Sequence, residues 1–361
     1  MKFGYYAIES AEYSGGVVNK LMGVVSAFQK FGYLSHLSLV SGSTGLFSFV
    51  KYALAISSAE EDILFVRGIS YGYLLITPAI LIARLRGCKV YLDVPTPQMV
   101  ALYEILSAKQ GFFIKGVKCV LLLITGPTVF WPANVVIQYA PEGKFFTFGN
   151  KNKIRLIGNG IDIDTVIIRD AEPSWPSSAF HLLGVANVSE WHGYDRIIRG
   201  MAHYRDTQPR PLDIFFTIVG SGQAIDDLKE LCHLLNLTNK VYFPGPLHGK
   251  KLLDEYCKAH LAVDAIGIYR KGMSVASTLK SREYCAIGIP FISSYKDYDF
   301  DGDEPFRYCV SQTDNYQEIA TLFADIFSKK SLPCKEEIRD FAEKRLSWSS
   351  KLEQLGVQKD K

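Results

Sequence analysis

Residues 277–292 read STLKSREYCAIGIPFI, and the fold turns on how that stretch is understood. Lys280, Arg282 and Glu283 crowd the start of a helix-length run that then becomes apolar. Ala286 and Gly288 are small enough for close packing, and Gly288-Ile289-Pro290 ends the helix before the strand-like PFISS. The run is preceded by LAVDAIGIYRKGM, a short β-rich strand followed by a glycine loop. The order strand, loop, helix, strand is that of an open α/β sheet, which binds ligands beyond the carboxyl ends of its strands. The three charges stand at that edge. On a helix Lys280 and Glu283 share a face and Arg282 points elsewhere. A Lys there can neutralise a phosphate, and a Glu can accept two hydroxyl hydrogen bonds from a ribose. The same spacing also suits an ordinary ion pair on a solvated first turn.

Outward from this stretch the alternation continues in both directions. KFGYYAI, LSHLSLVS, ILFVRG, KVYLDVP, NVVIQYA and KIRLIGNGI read as strands, with GGVVNKLMGVVSAFQKFG and YLLITPAILIARLRG as helices between them. It pauses at RDAEPSWPSSAF, residues 169–180, whose prolines and serines suit a linker. After it FHLLGVAN, DIFFTIVG, KVYFPG and LAVDAIG alternate with GYDRIIRGMAHYR, AIDDLKELCHLLNL, KKLLDEYCKA and TLKSREYCAIG. Apolar strands joined by helices imply parallel sheets covered on both faces, hence two α/β domains in series. CKEEIRDFAEKRLSWSSKLEQL reads as one further helix, with Leu346 and Trp348 on an apolar face.

With 361 residues, 48% hydrophobic and 21% charged, the chain has ample material for two cores, which excludes a disordered protein. A net charge of +3 without any long basic run suits a small anionic ligand or surface and argues against nucleic acid. Cys88, Cys119, Cys232, Cys257, Cys285, Cys309 and Cys334 form no CxxC pair, so they read as thiols of a reducing compartment and not as a zinc site. Glu9 and Glu12 interrupt any signal-peptide pattern. Residues 68–83 are too short to span a bilayer, and Gly126-Pro127 and Trp131-Pro132 break residues 119–141.

Two glycine turns join a strand to a helix: SGGVV, with Gly15 and Gly16, and VGSGQ, with Gly220 and Gly222. Each lets the backbone bend and offers helix N–H groups to a phosphate, though neither is a full dinucleotide fingerprint. In SEWHGYDRI, His192 could donate to a phosphate or leaving group, or cap its turn, with Trp191 filling an apolar gap and Asp195 and Arg196 as a surface pair. Asp93 in DVPTPQ ends a strand, where it could meet a substrate or simply start the X-Pro turn; Arg67 is equally ambiguous. Asn159-Gly160 suits a turn needing positive φ.

Taken in order, NGID at 159–162, VANVSEWHGYDRII, IVGSG, VYFPG and EYCAIGIP at 283–290 resemble the retaining, nucleotide-sugar-dependent glycosyltransferases of family four. The resemblance spans nearly the whole chain, is strongest over 159–292, and looks most like bacterial enzymes of surface-polysaccharide assembly. It implies the GT-B fold: two Rossmann-like parallel-sheet domains facing a central cleft. The acceptor-side domain would cover 1–168 and the nucleotide-sugar-binding domain 169–335, with a C-terminal helix, 336–361, crossing back onto the first. It further implies Gly15 and Gly16 near the donor diphosphate, Glu283 on the donor ribose, Gly245, Pro246 and Leu247 flanking the base, and Gly272 and Met273 near sugar and phosphates. Asn187 and His192 stand where many members carry an Arg and a Lys for the diphosphate, and Val275 stands where many carry a second Glu. Lys280 and Arg282 would then replace the cations, with His192, Lys280 and Asp93 as the catalytic candidates. No cofactor and no metal are implied beyond the donor itself. A glycan or lipid-linked glycan acceptor would bring a cytoplasmic protein to the inner membrane surface, through residues 109–124 (KQGFFIKGVKCVLLLI) or else with that stretch as a buried helix. The departures also suit a catalytically inactive sugar-nucleotide-binding subunit, and another enzyme of the same fold, such as an epimerase or inverting transferase, would share the donor site.

Overall fold

The computed structural model describes residues 1–8, 15–40, 45–69, 72–108, 111–166, 168–169, 173, 175 and 179–360. The chain divides into two compact units, Met1–Asp162 with Leu346–Lys361, and Ile163–Arg345.

The first unit runs β1 (Lys2–Ile8), α1 (Gly15–Lys30), β2 (Leu34–Val40), α2 (Leu46–Ser57), β3 (Ile63–Arg67), α3 (Tyr73–Leu85), β4 (Lys89–Val94), α4 (Gln98–Ser107), α5 (Phe112–Thr125), β5 (Val135–Gln138) and β6 (Ile154–Leu156). Its strands pair in parallel in the order β2-β1-β3-β4-β5-β6. β1 shows why. Successive side chains of a strand point to opposite faces, and here both faces are apolar. Phe3, Tyr5 and Ala7 enter a core shared with α1, while Tyr6 and Ile8 enter one shared with α2 and α3.

The second unit runs β7 (Ala179–Val185), α6 (Tyr194–Thr207), β8 (Asp213–Val219), α7 (Ile225–Leu234), β9 (Val241–Gly245), α8 (Gly249–Lys258), β10 (Leu261–Val263), α9 (Leu279–Ile287), β11 (Phe291–Ser293), β12 (Arg307–Cys309), α10 (Gln317–Lys329) and α11 (Lys335–Phe341). All pairs are again parallel, in the order β12-β11-β10-β7-β8-β9. The direction of strand addition reverses between β7 and β10. At such a reversal open α/β sheets bind their ligands, beyond the carboxyl ends of the strands.

The C-terminal stretch is not one helix. After α11 a π-helical turn, Ala342–Leu346, leads to α12 (Trp348–Gln354), which packs on α1 in the first unit. Ser347 stops one helix and caps the next, its side chain accepting from the Ser350 amide at 3.2 Å. Leu346 and Trp348 are buried. The Ile161 amide donates to Leu346 O at 2.9 Å and the Trp348 amide to Ile161 O at 3.1 Å. Gly160 has no left-handed backbone, against the turn expected for Asn-Gly. It is small because a Cβ there would stand 2.5 Å from the Trp348 ring. Of the linker, 170–172, 174 and 176–178 lie outside the described residues.

Candidate functional site

In the second unit the loops after β7 and β10 are bonded to one another at the reversal point. Ile266 N–H donates to His192 O at 3.0 Å. A Cβ on Gly193, whose φ is +69°, would meet Gly267 N at 2.8 Å. The β8–α7 turn lies against the same loop. Val188 N–H donates to Ser221 O at 2.6 Å. A Cβ on Gly220 would stand 1.8 Å from Ala186 O, and one on Gly222 2.1 Å from Val188 O. The two glycines of VGSGQ are thus required by backbone packed on backbone, which fixes the segment that carries Asn187 and His192.

His192 is 1% exposed and stacks on Trp191, ring centroids 3.8 Å apart. Its Nδ1 lies 3.0 Å from the Ser189 amide nitrogen and 3.2 Å from Ser189 O; the tautomer in which Nδ1 accepts from the amide places the ring proton on Nε2. Nε2 lies 3.4 Å from Lys280 Nζ. Burial, helped by the Lys280 charge, pushes His192 down to about 2, so the ring stays neutral. It offers a hydrogen bond and not an acid's proton.

Lys280 and Glu283, three residues apart on α9, share the face turned to His192, and both are only partly exposed. Burial lowers the pKa of Lys280, with Asp264 and Glu283 opposing that shift. Burial raises the pKa of Glu283, against the Tyr256 hydroxyl and Lys280. Beneath them Asp264 is fully buried just beyond β10. One of its oxygens accepts from Thr278 Oγ1 at 2.6 Å and from the Tyr295 hydroxyl. Thr278 in turn caps α9, accepting from the Ser281 amide at 3.2 Å. The arrangement sets two donors, Nζ of Lys280 and Nε2–H of His192, side by side with a carboxylate one helical turn away. Chemically it can hold an anion on one side and hydroxyl groups on the other.

Arg282 is not part of this group. It is 0% exposed and faces inward, with Nη2 donating to Asp297 at 3.0 Å, Nη1 to Ser281 Oγ at 2.9 Å, and Asp299 closing the pair. Its guanidinium anchors α9 to the loop after β11. Asp195 and Arg196 are likewise not a surface pair. Asp195 takes both Nη groups of Arg270 at 2.8 Å, and buried Arg196 reaches Glu318 at 2.5 Å. Asn187 is exposed at the rim of the loop. Gly245, with φ +80°, and exposed Pro246 form an open turn after β9, with Leu247 half-buried. Gly272, with φ +69°, ends a 3-10 turn, and Met273 packs beside Trp191 on a small core around Ile268 and Tyr295. Val275 makes a backbone bridge with Lys296.

The first unit holds the remaining candidates. Gly15 and Gly16 open α1; the residues before them, 9–14, lie outside the described ones. Asp93 is 1% exposed and joined to Arg67 at 3.2 Å, to Lys20 at 3.6 Å and to the Tyr5 hydroxyl. Burial alone would raise its pKa; Lys20 and Arg67 hold it below the usual carboxylate range. Burial lowers Lys20 to about 7, against the attraction of Asp93. The two ambiguous strand-end residues, Asp93 and Arg67, are therefore each other's partners inside the unit, and Asp93 has no surface from which to meet a substrate. Sequence reasoning missed Lys20, Tyr256 and Asp264. Asp264 was legible as the lone acid after an apolar strand in LAVDAIG.

No family model and no curated protein matches the chain. Solved structures do match it. It is similar to sucrose-phosphate synthase of Thermosynechococcus elongatus, with a TM-score of 0.68 and 14% identity over 99% of this chain and 98% of that one. It is similar to HepE of Anabaena, solved with UDP, at 0.64 and 14% over 99% and 98%. It is also similar to the lipopolysaccharide outer core galactosyltransferase WaaB, at 0.63 and 12% over 99% of both chains. Two parallel six-stranded α/β units matched along these chains establish the GT-B fold.

Proposed function

We propose that the chain is a glycosyltransferase. It moves a hexosyl group from a nucleotide-sugar donor to a glycan or lipid-linked glycan acceptor, with retention, as bacterial enzymes of capsule, O-antigen or exopolysaccharide assembly do. The observation that carries the reading is the meeting of His192, Lys280 and Glu283 at the strand-order reversal of the second unit. Two of the similar structures, HepE and the pneumococcal O-GlcNAc transferase GtfA, were solved with UDP.

In this reading Glu283 accepts from the donor ribose, and Lys280 with His192 Nε2–H faces the diphosphate. Charge grows on the leaving diphosphate as the glycosidic bond breaks. A cation and a fixed neutral donor in a partly desolvated site stabilise that charge more than water would. Gly245, Pro246 and Leu247 flank the base, and Gly272 with Met273 the sugar. The acceptor side belongs to the first unit, and a lipid-linked acceptor places the protein at the inner face of a membrane.

Thermal stabilisation by UDP, GDP, ADP, CDP and NAD tests the donor site in wild type and Glu283→Ala. A ligand at 100 times its dissociation constant stabilises the native state by about 2.7 kcal/mol. A shift with one nucleoside diphosphate, lost in the variant and weakened in Lys280→Ala, is the expected result. A shift with NAD alone, or one untouched by both substitutions, refutes the assignment. Donor turnover with an acceptor separates the transferase from an inactive binding subunit, the reading that Asn187 and Val275 motivate.

A further inference from the structure

Among the described residues, large exposed apolar side chains gather on one face of the first unit. α2 packs on α3, α3 on α5 and α5 on α4, making a row of helices over one side of the sheet. On the opposite side α1 and α12 expose only Met22. The row is different. Phe112 is 93% exposed, Phe113 81%, Leu85 79%, Phe47 71%, Ile124 66% and Leu54 64%. α5 is the extreme case: only Leu122 and Thr125 are buried, while its lysines, Lys115 and Lys118, are less exposed than its phenylalanines. A helix of a water-facing surface is built the other way round. The expectation of a buried helix with exposed lysines is thereby overturned; of the stretch 109–124, residues 109 and 110 lie outside the described ones.

The charges say what covers this face. The four helices carry Lys51, Arg84, Lys115 and Lys118, and Glu104 as their acid. A second copy docked by a two-fold axis would set these cations against themselves. A sheet of anionic headgroups over an apolar interior matches both the charge and the phenylalanines, since lysine stems lie along apolar surface while their ammonium groups reach the headgroups. We propose that the α2-α3-α5-α4 face is a monotopic docking surface for an anionic lipid bilayer, with Phe112 and Phe113 inserted below the headgroups. No helix among the described residues is long and apolar enough to cross a membrane, so attachment is to one leaflet. The inference deepens the membrane-borne acceptor reading, and its test uses neither donor nor acceptor.

Flotation of the full chain with phosphatidylcholine vesicles, with and without phosphatidylglycerol, checks it. The protein is expected to float with the anionic vesicles and to be released by salt. Lys51→Glu with Lys118→Glu should weaken binding by at least about fivefold per charge, from the strength of a cation at an anionic surface. F112S with F113S should weaken it by about tenfold or more, because each ring loses its apolar burial. Both pairs start exposed or partly so, and Leu234→Ser, 69% exposed in the second unit, serves as the control that should float as wild type does. Failure to float, flotation indifferent to both pairs, equal binding to neutral vesicles, or a dimer in lipid-free ultracentrifugation abolished by F112S/F113S would each overturn it. Nucleotide-induced stabilisation that persists in F112S/F113S shows that the donor site is separate, so either reading can fail alone.

Discussion

Arg282→Ala separates an anchor from a ligand-binding cation. In the wild type the guanidinium is fully buried, forked onto Asp297, closed by Asp299 and braced by Ser281 Oγ. The side chains of Asp297 and Asp299 are 0% and 6% exposed. Removing the cation takes away the charge that sits between two carboxylates with little water around them. Breaking such a buried pair from one side costs about 3–5 kcal/mol. With a urea slope of about 2–3 kcal/mol per molar for a unit of this size, the midpoint should fall by about 1–2 M. Urea unfolding followed by tryptophan fluorescence reads the second unit through Trp175 and Trp191. Nucleotide affinity, measured on the fraction still folded, should change little, because the guanidinium faces Asp297 and not the Lys280 face. Arg282→Lys should recover only part of the stability, since an ammonium cannot fork onto both carboxylates. A midpoint within about 0.2 M of wild type, with nucleotide affinity lost, would refute the assignment and return Arg282 to the donor site.

His192 predicts an acid sensitivity. Its ring titrates near 2 in the folded chain and near the ordinary value of about 6.5 when unfolded. Between those values the unfolded chain holds a proton that the native one lacks, so stability falls as pH drops below about 6.5, by up to about 1.4 kcal/mol per pH unit, and is unaffected by this group above it. Urea midpoints from pH 7.5 to 4.5 should fall less steeply in His192→Gln than in wild type; parallel curves would sink the idea. Trp348→Ala should cost about 3–5 kcal/mol, the range for a buried aromatic side chain, and the loss should appear in the first unit. Hydrogen exchange in α1 and β1 reads it, and protection lost only in the second unit would contradict the placement.

Much of the fold was legible because most of its strands are continuous apolar runs, several of them, such as β1, β3 and β4, buried on both faces. KFGYYAI, FHLLGVAN and DIFFTIVG have no polar side to confuse the period, and each became a strand. β12 was not legible: three residues, Arg307–Cys309, carry no pattern. α10, with Ile319, Phe323 and Ile326 inward, had the period and was overlooked. α5 misleads by design, its apolar residues mimicking a core helix while facing out. For the candidate site, local spacing sufficed where partners lie on one helix, as with Lys280 and Glu283. It could not show that His192, 88 residues earlier, meets Lys280. Nor could it show that Arg282 spends its charge on carboxylates 15 and 17 residues ahead, across a strand. Helix-face geometry says where a side chain leaves the backbone; the loop that comes to meet it is a matter of tertiary structure.

Residues 346–360 have a consequence for how the chain is made. Trp348 sits between Gly23 and Gly160, where a Cβ on either would stand 2.8 or 2.5 Å from its ring, and Leu352, Leu355 and Val357 join the same core as β1 and α1. On the ribosome the first unit is therefore translated early and left with an open seam. The second unit, complete in residues 163–345, can close before the peptide that seals its predecessor has been synthesised. Through that interval the core that β1 and α1 share lacks Trp348, Leu352, Leu355 and Val357, and apolar surface left open in a nascent unit is what chaperones bind.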